Sequence, residues 1–108
     1  MKTILVAVFL LMTASVCMAS SQTGLVKSLS TNARYELVYF ELDGPRSAKP
    51  NCATQSFWII KENSSMGKRQ YAMLLAASVA GKQVRVDGMD ACERWWGDED
   101  VDQIQILP

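Results

Sequence analysis

Alternating apolar and polar residues predict five β-strands along this chain. The five segments are 24–29, 34–42, 55–60, 84–86 and 104–106. A hairpin turn is expected at 30–32, between the first two strands. The segment 43–51 contains two prolines and a glycine, so it is predicted to be a loop.

A single helix is predicted over 68–80, because its bulky apolar residues recur at the spacing of one helical face. The residues on that face are Tyr71, Leu74, Leu75 and Val79. We expect this face to be buried against the sheet. Gly81 comes directly after the helix, where a glycine readily adopts the left-handed conformation that ends a helix. The polar segment 61–67 before the helix is predicted to be a turn.

The predicted order of elements is three strands, one helix and two strands. This order places the fold in the α+β class with mostly β structure. A five-stranded barrel with a helix between its third and fourth strands is the plan of the OB-fold, in which the helix closes one end of the barrel. The pattern therefore predicts an OB-fold-like barrel.

The N-terminal segment has the order of charged and apolar residues that secretory signal peptides show. Lys2 precedes an uncharged apolar run over 4–12, which is shorter than the roughly 20 residues that a membrane-spanning helix needs. Small residues follow, and they favour cleavage after Ala19, with cleavage after Ser21 as the alternative. We therefore expect a signal peptide at 1–19.

Three cysteines bear on the location and the stability of the exported domain. A lipid anchor on Cys17 is disfavoured, because Val16 rather than a small residue precedes it. The expected product is a single secreted or periplasmic domain, residues 20–108, which is small enough to need a crosslink. In an oxidising compartment Cys52 and Cys92 are expected to form a disulfide, the alternative being two buried free thiols.

The charged residues are balanced over the whole chain but unevenly distributed along it. The full sequence has 11 basic and 11 acidic residues. Nine basic and four acidic residues lie in 20–85, whereas one basic and seven acidic residues lie in 86–108. The basic residues are scattered and form no dense patch of the kind that binds phosphates. Nucleic acid is therefore not expected as a partner, and no membrane span is expected.

Residues that usually carry catalysis are scarce. The chain has no histidine, and both cysteines of the exported domain are expected to be bonded to each other. We therefore predict no catalytic residue, no cofactor and no enzymatic activity. Asp98, Asp100 and Asp102 have the spacing of the first ligands of a calcium loop, but Gln103 occupies the place of the loop's glycine. We expect a solvated acidic turn there and no metal site.

Trp95 and Trp96 are the candidate ligand-binding residues. They precede Gly97 in a predicted loop, and two exposed tryptophans are costly to leave in water unless a ligand or partner covers them. A structural interpretation is favoured over binding, because a domain this small needs large apolar residues to complete its core: one ring would close the barrel end against the disulfide, and the other would cover the helix. If the pair divides these roles, one ring is buried and the other faces outward over the acidic turn.

Four stretches of the sequence together carry a resemblance to a known group of proteins. They are the segment from Cys52 to Trp58, the YAMLLAA helix from Tyr71 to Ala77, the GKQVRV strand from Gly81 to Val86, and Cys92 before the last strand. In this combination they resemble the small secreted OB-fold proteins that are similar to the binding (B) subunits of pentameric A-B toxins, such as subtilase cytotoxin and pertussis-like toxins. The resemblance implies a ring of identical subunits, binding of cell-surface glycans and a separate catalytic subunit. The chain departs from those subunits in its shorter end with the compact segment 95–100, so no glycan-contacting residue is carried over.

The sequence thus predicts a secreted, non-enzymatic binding module whose partner is a glycan or another exported protein. The alternative is an exported domain that acts by self-association or as an inhibitor of another exported protein. The assembly that the resemblance implies is a homo-oligomeric ring.

Overall fold

A computed structural model gives the fold of the chain and describes residues 20–108. The predicted signal peptide at 1–19, together with Cys17, lies outside the described residues. The elements are β1 (Ser21–Asn32), β2 (Leu37–Asp43), β3 (Arg46–Ser47), β4 (Trp58–Lys61), α1 (Ser65–Ala80), β5 (Val84–Gly88) and β6 (Glu99–Ile106). No helix in this part of the chain is long and apolar enough to cross a membrane.

Five of these strands pair into a closed ring. β1 pairs with β2, β2 with β4, β6 with β5 and β5 with β1, all antiparallel, whereas β4 and β6 run parallel. The two-residue β3 pairs only with the beginning of β1. Within residues 20–108 the helix lies between β4 and β5, which are the third and fourth strands of the ring in chain order. The prediction of a mostly β domain with one helix at this place is confirmed.

The core lies inside the ring, and β2, β4 and β5 contribute every second residue to it. On β2, Val38 and Phe40 are fully buried in it, and on β4 Trp58 and Ile60 take the same position. The other members of the buried cluster are Leu42, Leu74, Ala77, Val84, Val86, Val101 and Ile104. Alternation therefore fixes the inward side of β2, β4 and β5, whereas on β6 the core residues Val101 and Ile104 are three apart because the pairing with β5 shifts its register.

The turn between the first two strands lies later in the chain than predicted. β1 continues through the segment 30–32, and the turn occupies 33–36. The Asn32 side-chain oxygen accepts the backbone N–H groups of Arg34 at 3.0 Å and Tyr35 at 3.3 Å, which starts the turn after that residue. The segment 43–51, predicted to be a loop, includes the short strand β3.

The helix begins at Ser65 rather than at residue 68. Ser64 is its N-cap, and the hydroxyl oxygen of Ser64 accepts the N–H of Gly67 at 2.9 Å. The prediction of a turn over the whole of 61–67 is therefore wrong in its second half. Gly81 ends the helix in the left-handed conformation, with φ of 65°, as predicted.

The buried face of the helix is also different from the predicted one. The residues that α1 buries are Gly67, Gln70, Leu74 and Ala77. Leu75 is 46% exposed and Val79 is 83% exposed, so the prediction that both are buried is wrong. Small residues let the helix approach the sheet closely, since a Cβ on Gly67 would overlap the Lys61 carbonyl oxygen.

A buried polar network joins strands β1, β3, β4 and β6. The Arg46 guanidinium lies 2.6 Å from the Glu99 carboxylate and 3.7 Å from the ring centroid of Trp58. The indole N–H of Trp58 donates to the Gln22 side-chain oxygen at 2.8 Å. The Gln22 amide nitrogen in turn donates to the carbonyl oxygens of Leu42 and Gly44. The charged pair is thus held by neighbours from several parts of the ring.

Candidate functional site

A cleft lies on the outer side of β2 and β4. The side chains of Leu37, Tyr39, Phe57 and Ile59 alternate with core positions, so they project away from the ring interior. The connection 89–98 between β5 and β6 packs over this surface and leaves a cavity of about 210 Å³. Its lining residues are Asn32, Leu37, Tyr39, Gln55, Phe57, Ile59, Trp95 and Asp98. We call this cavity the Trp95 cleft.

Two edge-to-face aromatic pairs lie at the Trp95 cleft, in which Trp95, Tyr39 and Phe57 line the cavity and Tyr35 packs against Trp95 without lining it. The Tyr35 and Trp95 ring centroids are 4.8 Å apart at an interplanar angle of 64°. Tyr39 and Phe57 are 5.4 Å apart at 82°. Both arrangements are favourable for aromatic pairs, because the positive ring edge meets the negative ring face. The Trp95 side chain is therefore held in place by its neighbour Tyr35.

Backbone hydrogen bonds to three consecutive acidic residues shape the connection 89–98. Asp98 accepts the N–H of Phe57 at 3.1 Å, which ties the end of the connection to the beginning of β4. Glu99 accepts the N–H of Asp90 at 3.0 Å. Asp100 accepts the N–H groups of Glu93 at 3.0 Å and Arg94 at 3.1 Å, next to Trp95. Carboxylates make stronger hydrogen bonds than neutral acceptors, so these contacts hold the connection firmly.

The acidic segment is therefore not the solvated turn that the sequence predicts. Asp98, Glu99 and Asp100 are all buried. Of the three aspartates with the spacing of a calcium loop, only Asp102 is exposed. The physical reason is that an irregular loop lying over the sheet leaves backbone N–H groups that need acceptors. In residues 20–108 no three histidine, cysteine, aspartate or glutamate side chains gather where they could hold a metal ion.

The predicted disulfide between Cys52 and Cys92 is confirmed. It joins the segment before β4 to the connection 89–98, across 40 residues of chain, and is compatible with an oxidising location. A second link lies nearby, where the N–H of Gln55 donates to the Gly97 carbonyl oxygen at 2.9 Å. Gly97 has φ of 87°, a conformation that favours glycine. The residues that flank Trp95 are thus fixed on both sides.

The two candidate tryptophans lie in different environments. Trp95 is 36% exposed and lines the cleft, whereas Trp96 is 82% exposed. The core cluster contains Trp58 but neither of these two residues, so the favoured structural interpretation, in which one ring of the pair completes the core, is wrong. A binding role for either residue stays a prediction, and of the two only Trp95 lines the cleft.

Asp98 is the carboxylate among the residues that line the Trp95 cleft. Burial raises the pKa of its carboxyl above the ordinary value. The N–H of Phe57 and the nearby charges of Arg46 and Lys49 oppose this effect, and Glu41 adds to it. Within residues 20–108 one oxygen of Asp98 accepts the N–H of Phe57, and no protein group donates to the other.

A second, more polar cleft of about 460 Å³ shares the lining residue Leu37 with the Trp95 cleft. Its lining residues are Tyr35, Leu37, Lys61, Glu93 and Arg94. Arg94 donates hydrogen bonds to the carbonyl oxygens of Ile59 on β4 and Val101 on β6. These two hydrogen bonds attach the connection 89–98 to both strands. This cleft therefore has a structural arginine in its wall, and its charges are mixed.

The chain was compared with protein-family models, with curated proteins and with solved structures, and no match was found in any of the three. The geometry of the Trp95 cleft is therefore interpreted from its own residues. It offers aromatic faces, two amide side chains and a carboxylate on a fixed frame. These groups can bind a small polar ring.

Proposed function

We propose that this domain is an exported, non-enzymatic module that binds glycans in the Trp95 cleft. The observation that carries the proposal is the fixed position of Trp95 above a cleft that combines aromatic walls with hydrogen-bonding side chains. Binding residues commonly lie on loops that a rigid scaffold positions. Here the disulfide and the acidic residues supply that rigidity.

The strand arrangement supports an OB-fold. Around the ring the order of strands is β1, β2, β4, β6, β5 and back to β1. Counted in chain order without β3, these are the first, second, third, fifth and fourth strands, and the third (β4) and fifth (β6) are parallel. Proteins with this fold bind oligosaccharides and oligonucleotides on the face of the second and third strands. Two connections flank this face, one between the first and second strands and one between the fourth and fifth. The Trp95 cleft occupies the same place, since Tyr39 and Ile59 lie on those strands and Asn32 and Trp95 adjoin those connections. The resemblance to toxin B subunits agrees with this proposal.

The chemistry of the cleft favours a saccharide over an oligonucleotide. Aromatic faces present apolar area to the C–H surface of a sugar ring, and amide and carboxylate groups bind its hydroxyls. Phosphate backbones require lysine or arginine, and the lining residues of the cleft include neither. A glycan is thus the better-matched ligand.

The N-terminal residues of the fold support removal of the signal peptide after Ala19. The Ser20 carbonyl oxygen accepts the N–H of Gly88 at 2.8 Å, and Ser21 pairs with Asp87 within the ring. Cleavage after Ser21 would remove both contacts. Intact mass of the exported protein should show a chain that begins at Ser20, and retention of Met1 after export would contradict this proposal.

The binding proposal is tested with the exported protein on an array of immobilised glycans. We expect selective binding by the unmodified protein and at least a tenfold loss in Trp95→Ala. Trp96→Ala is the matched control, because Trp96 is the neighbouring residue but does not line the cleft, and it should bind normally. Gln55→Ala offers a second cleft variant with an exposed side chain, so its fold should be preserved. Equal binding by all four proteins would refute the proposed site.

A second candidate is an exported domain that self-associates, and the exposed side of α1 favours it. Ala72, Leu75, Ala76 and Val79 are all exposed and lie at the spacing of one helical face. Sedimentation velocity of the unmodified protein and of Val79→Lys tests this candidate. A concentration-dependent oligomer that the lysine abolishes would support it, and a monomer at all concentrations would exclude it.

A further inference from the structure

The carboxylate of Asp98 is an unusual group to find in an aromatic cleft. A carboxylate can only accept hydrogen bonds, and Asp98 uses one oxygen for the N–H of Phe57 at 3.1 Å. Asp98 is nearly fully buried and lines the cleft. Among residues 20–108 the second oxygen is not one of the buried side-chain atoms that lack a hydrogen-bond partner, so it is open to the cleft and can accept a hydrogen bond from a ligand.

The two amides of the cleft can complete the recognition of a polar ring. Asn32 already uses its oxygen to accept the N–H groups of Arg34 and Tyr35, which leaves its NH₂ group as a donor. Gln55 is exposed at the edge of the cleft and can both donate and accept. A hydroxyl group suits these partners, because it can donate to Asp98 and accept from an amide at the same time.

The size and the charge of the cleft limit the ligand further. Its volume of about 210 Å³ is below the range of about 300–1,000 Å³ for sites of drug-sized ligands, so a single ring suits it better than a branched group. An anionic group would approach the carboxylate of Asp98 with Glu41 nearby. Of the basic residues close to Asp98, Arg46 is already paired with Glu99 and Lys49 is exposed outside the cleft. Repulsion and desolvation therefore disfavour a second negative charge.

We infer that the Trp95 cleft selects a neutral saccharide, one ring of which stacks on Trp95 and donates a hydroxyl hydrogen bond to Asp98, over saccharides that carry carboxylate or sulfate groups. This inference rests on the proposed glycan-binding function and names its ligand class. Asp98 is the specificity-determining residue, because its acceptor-only chemistry distinguishes a hydroxyl donor from an anion.

The test uses an array that displays neutral, sialylated and sulfated oligosaccharides with shared backbones. The unmodified protein should bind neutral glycans at least tenfold more strongly than their sialylated or sulfated counterparts. Asp98→Asn keeps the size of the side chain and an acceptor for the N–H of Phe57, but it replaces the second oxygen with a donor group. This variant should lose at least tenfold in binding to neutral glycans. Asp102→Asn, an exposed acidic residue outside the cleft, is the charge-matched control and should bind normally.

The outcomes separate the inference from the function on which it rests. If the protein prefers sialylated or sulfated glycans and Trp95→Ala abolishes that binding, the inference is overturned. The proposed glycan-binding function would remain. Unchanged neutral binding by Asp98→Asn would also overturn it. Absence of binding to every glycan would refute the proposed function itself. The comparison of glycan classes uses the unmodified protein, so it does not depend on how well any variant folds.

Discussion

Replacing Glu99 with glutamine should destabilise the domain more than any loss of a surface charge. Glu99 is fully buried, and the side chain of Arg46 is only 8% exposed. Within residues 20–108 the Nη1 atom of Arg46 is buried and has no hydrogen-bond partner, so the carboxylate 2.6 Å from Nη2 supplies the main compensation for this charge. Breaking one side of a buried ion pair typically costs about 3–5 kcal/mol.

That loss is a large part of the total stability, which is about 5–13 kcal/mol for a domain of this size. Glutamine preserves the volume of the side chain, so the effect reports the lost charge and the weakened acceptor for Asp90 rather than a cavity. Asp102→Asn is the matched control, since it removes one negative charge from an exposed position on the same strand. It should change stability by less than about 0.5 kcal/mol.

The assay is urea denaturation of the three proteins followed by far-ultraviolet circular dichroism. Equal midpoints for Glu99→Gln and the unmodified protein would refute the assigned role of the pair. A double variant, Arg46→Met with Glu99→Leu, extends the test, because removing both charges together avoids leaving one buried and unpaired. The double variant should be less destabilised than the sum of its two single changes.

Three further changes test other parts of the structure. Leu74→Ala should lower the free energy of unfolding by about 2–5 kcal/mol because Leu74 is fully buried, whereas Leu75→Ala, at a position 46% exposed, should cost less than about 1 kcal/mol. Urea denaturation that shows equal losses would contradict the assigned helix face. Burial raises the pKa of Asp98 above its ordinary value of 3.8, so the unfolded chain releases this proton first as the pH rises. As the pH rises from 3.8 to the raised pKa, the unmodified protein should therefore lose stability relative to Asp98→Asn. Urea unfolding at several pH values measures this, and a stability difference between the two proteins that does not change with pH would count against it. Reduction of the disulfide between Cys52 and Cys92 should cost about 2–4 kcal/mol and weaken glycan binding, and unchanged binding after complete reduction would show that hydrogen bonds alone hold the cleft.

The sequence predicts the strands and the disulfide because these depend on local or simple features. Val84 and Val86 alternate with polar residues, and the same residues face the core in the structure. The helix face is harder to predict, because bulky residues dominate a periodicity analysis. Besides the predicted Leu74, α1 buries Gly67, Gln70 and Ala77, which contribute little to such an analysis. At Gly67 the neighbouring backbone leaves no room for a side chain.

The cleft could be predicted only in part. Trp95 was identifiable as an aromatic residue in a loop, and the apolar outer residues Tyr39 and Phe57 indicate that the outside of these strands is covered. The role of Asp98 and Asp100 depends on backbone N–H groups that lie several or many residues away. Such contacts follow from the path of the connection 89–98, and charge and spacing along the sequence contain no information about that path.

An NMR titration of the isotope-labelled protein tests the binding site most directly. The titrant is the neutral oligosaccharide that gives the strongest array signal. The account predicts that the indole N–H signal of Trp95 and the side-chain amide signals of Asn32 and Gln55 shift together with one dissociation constant, while the Trp96 indole signal stays in place. Shifts that cluster on Trp96 or on the exposed face of α1, with the Trp95 signal unchanged, would contradict the account.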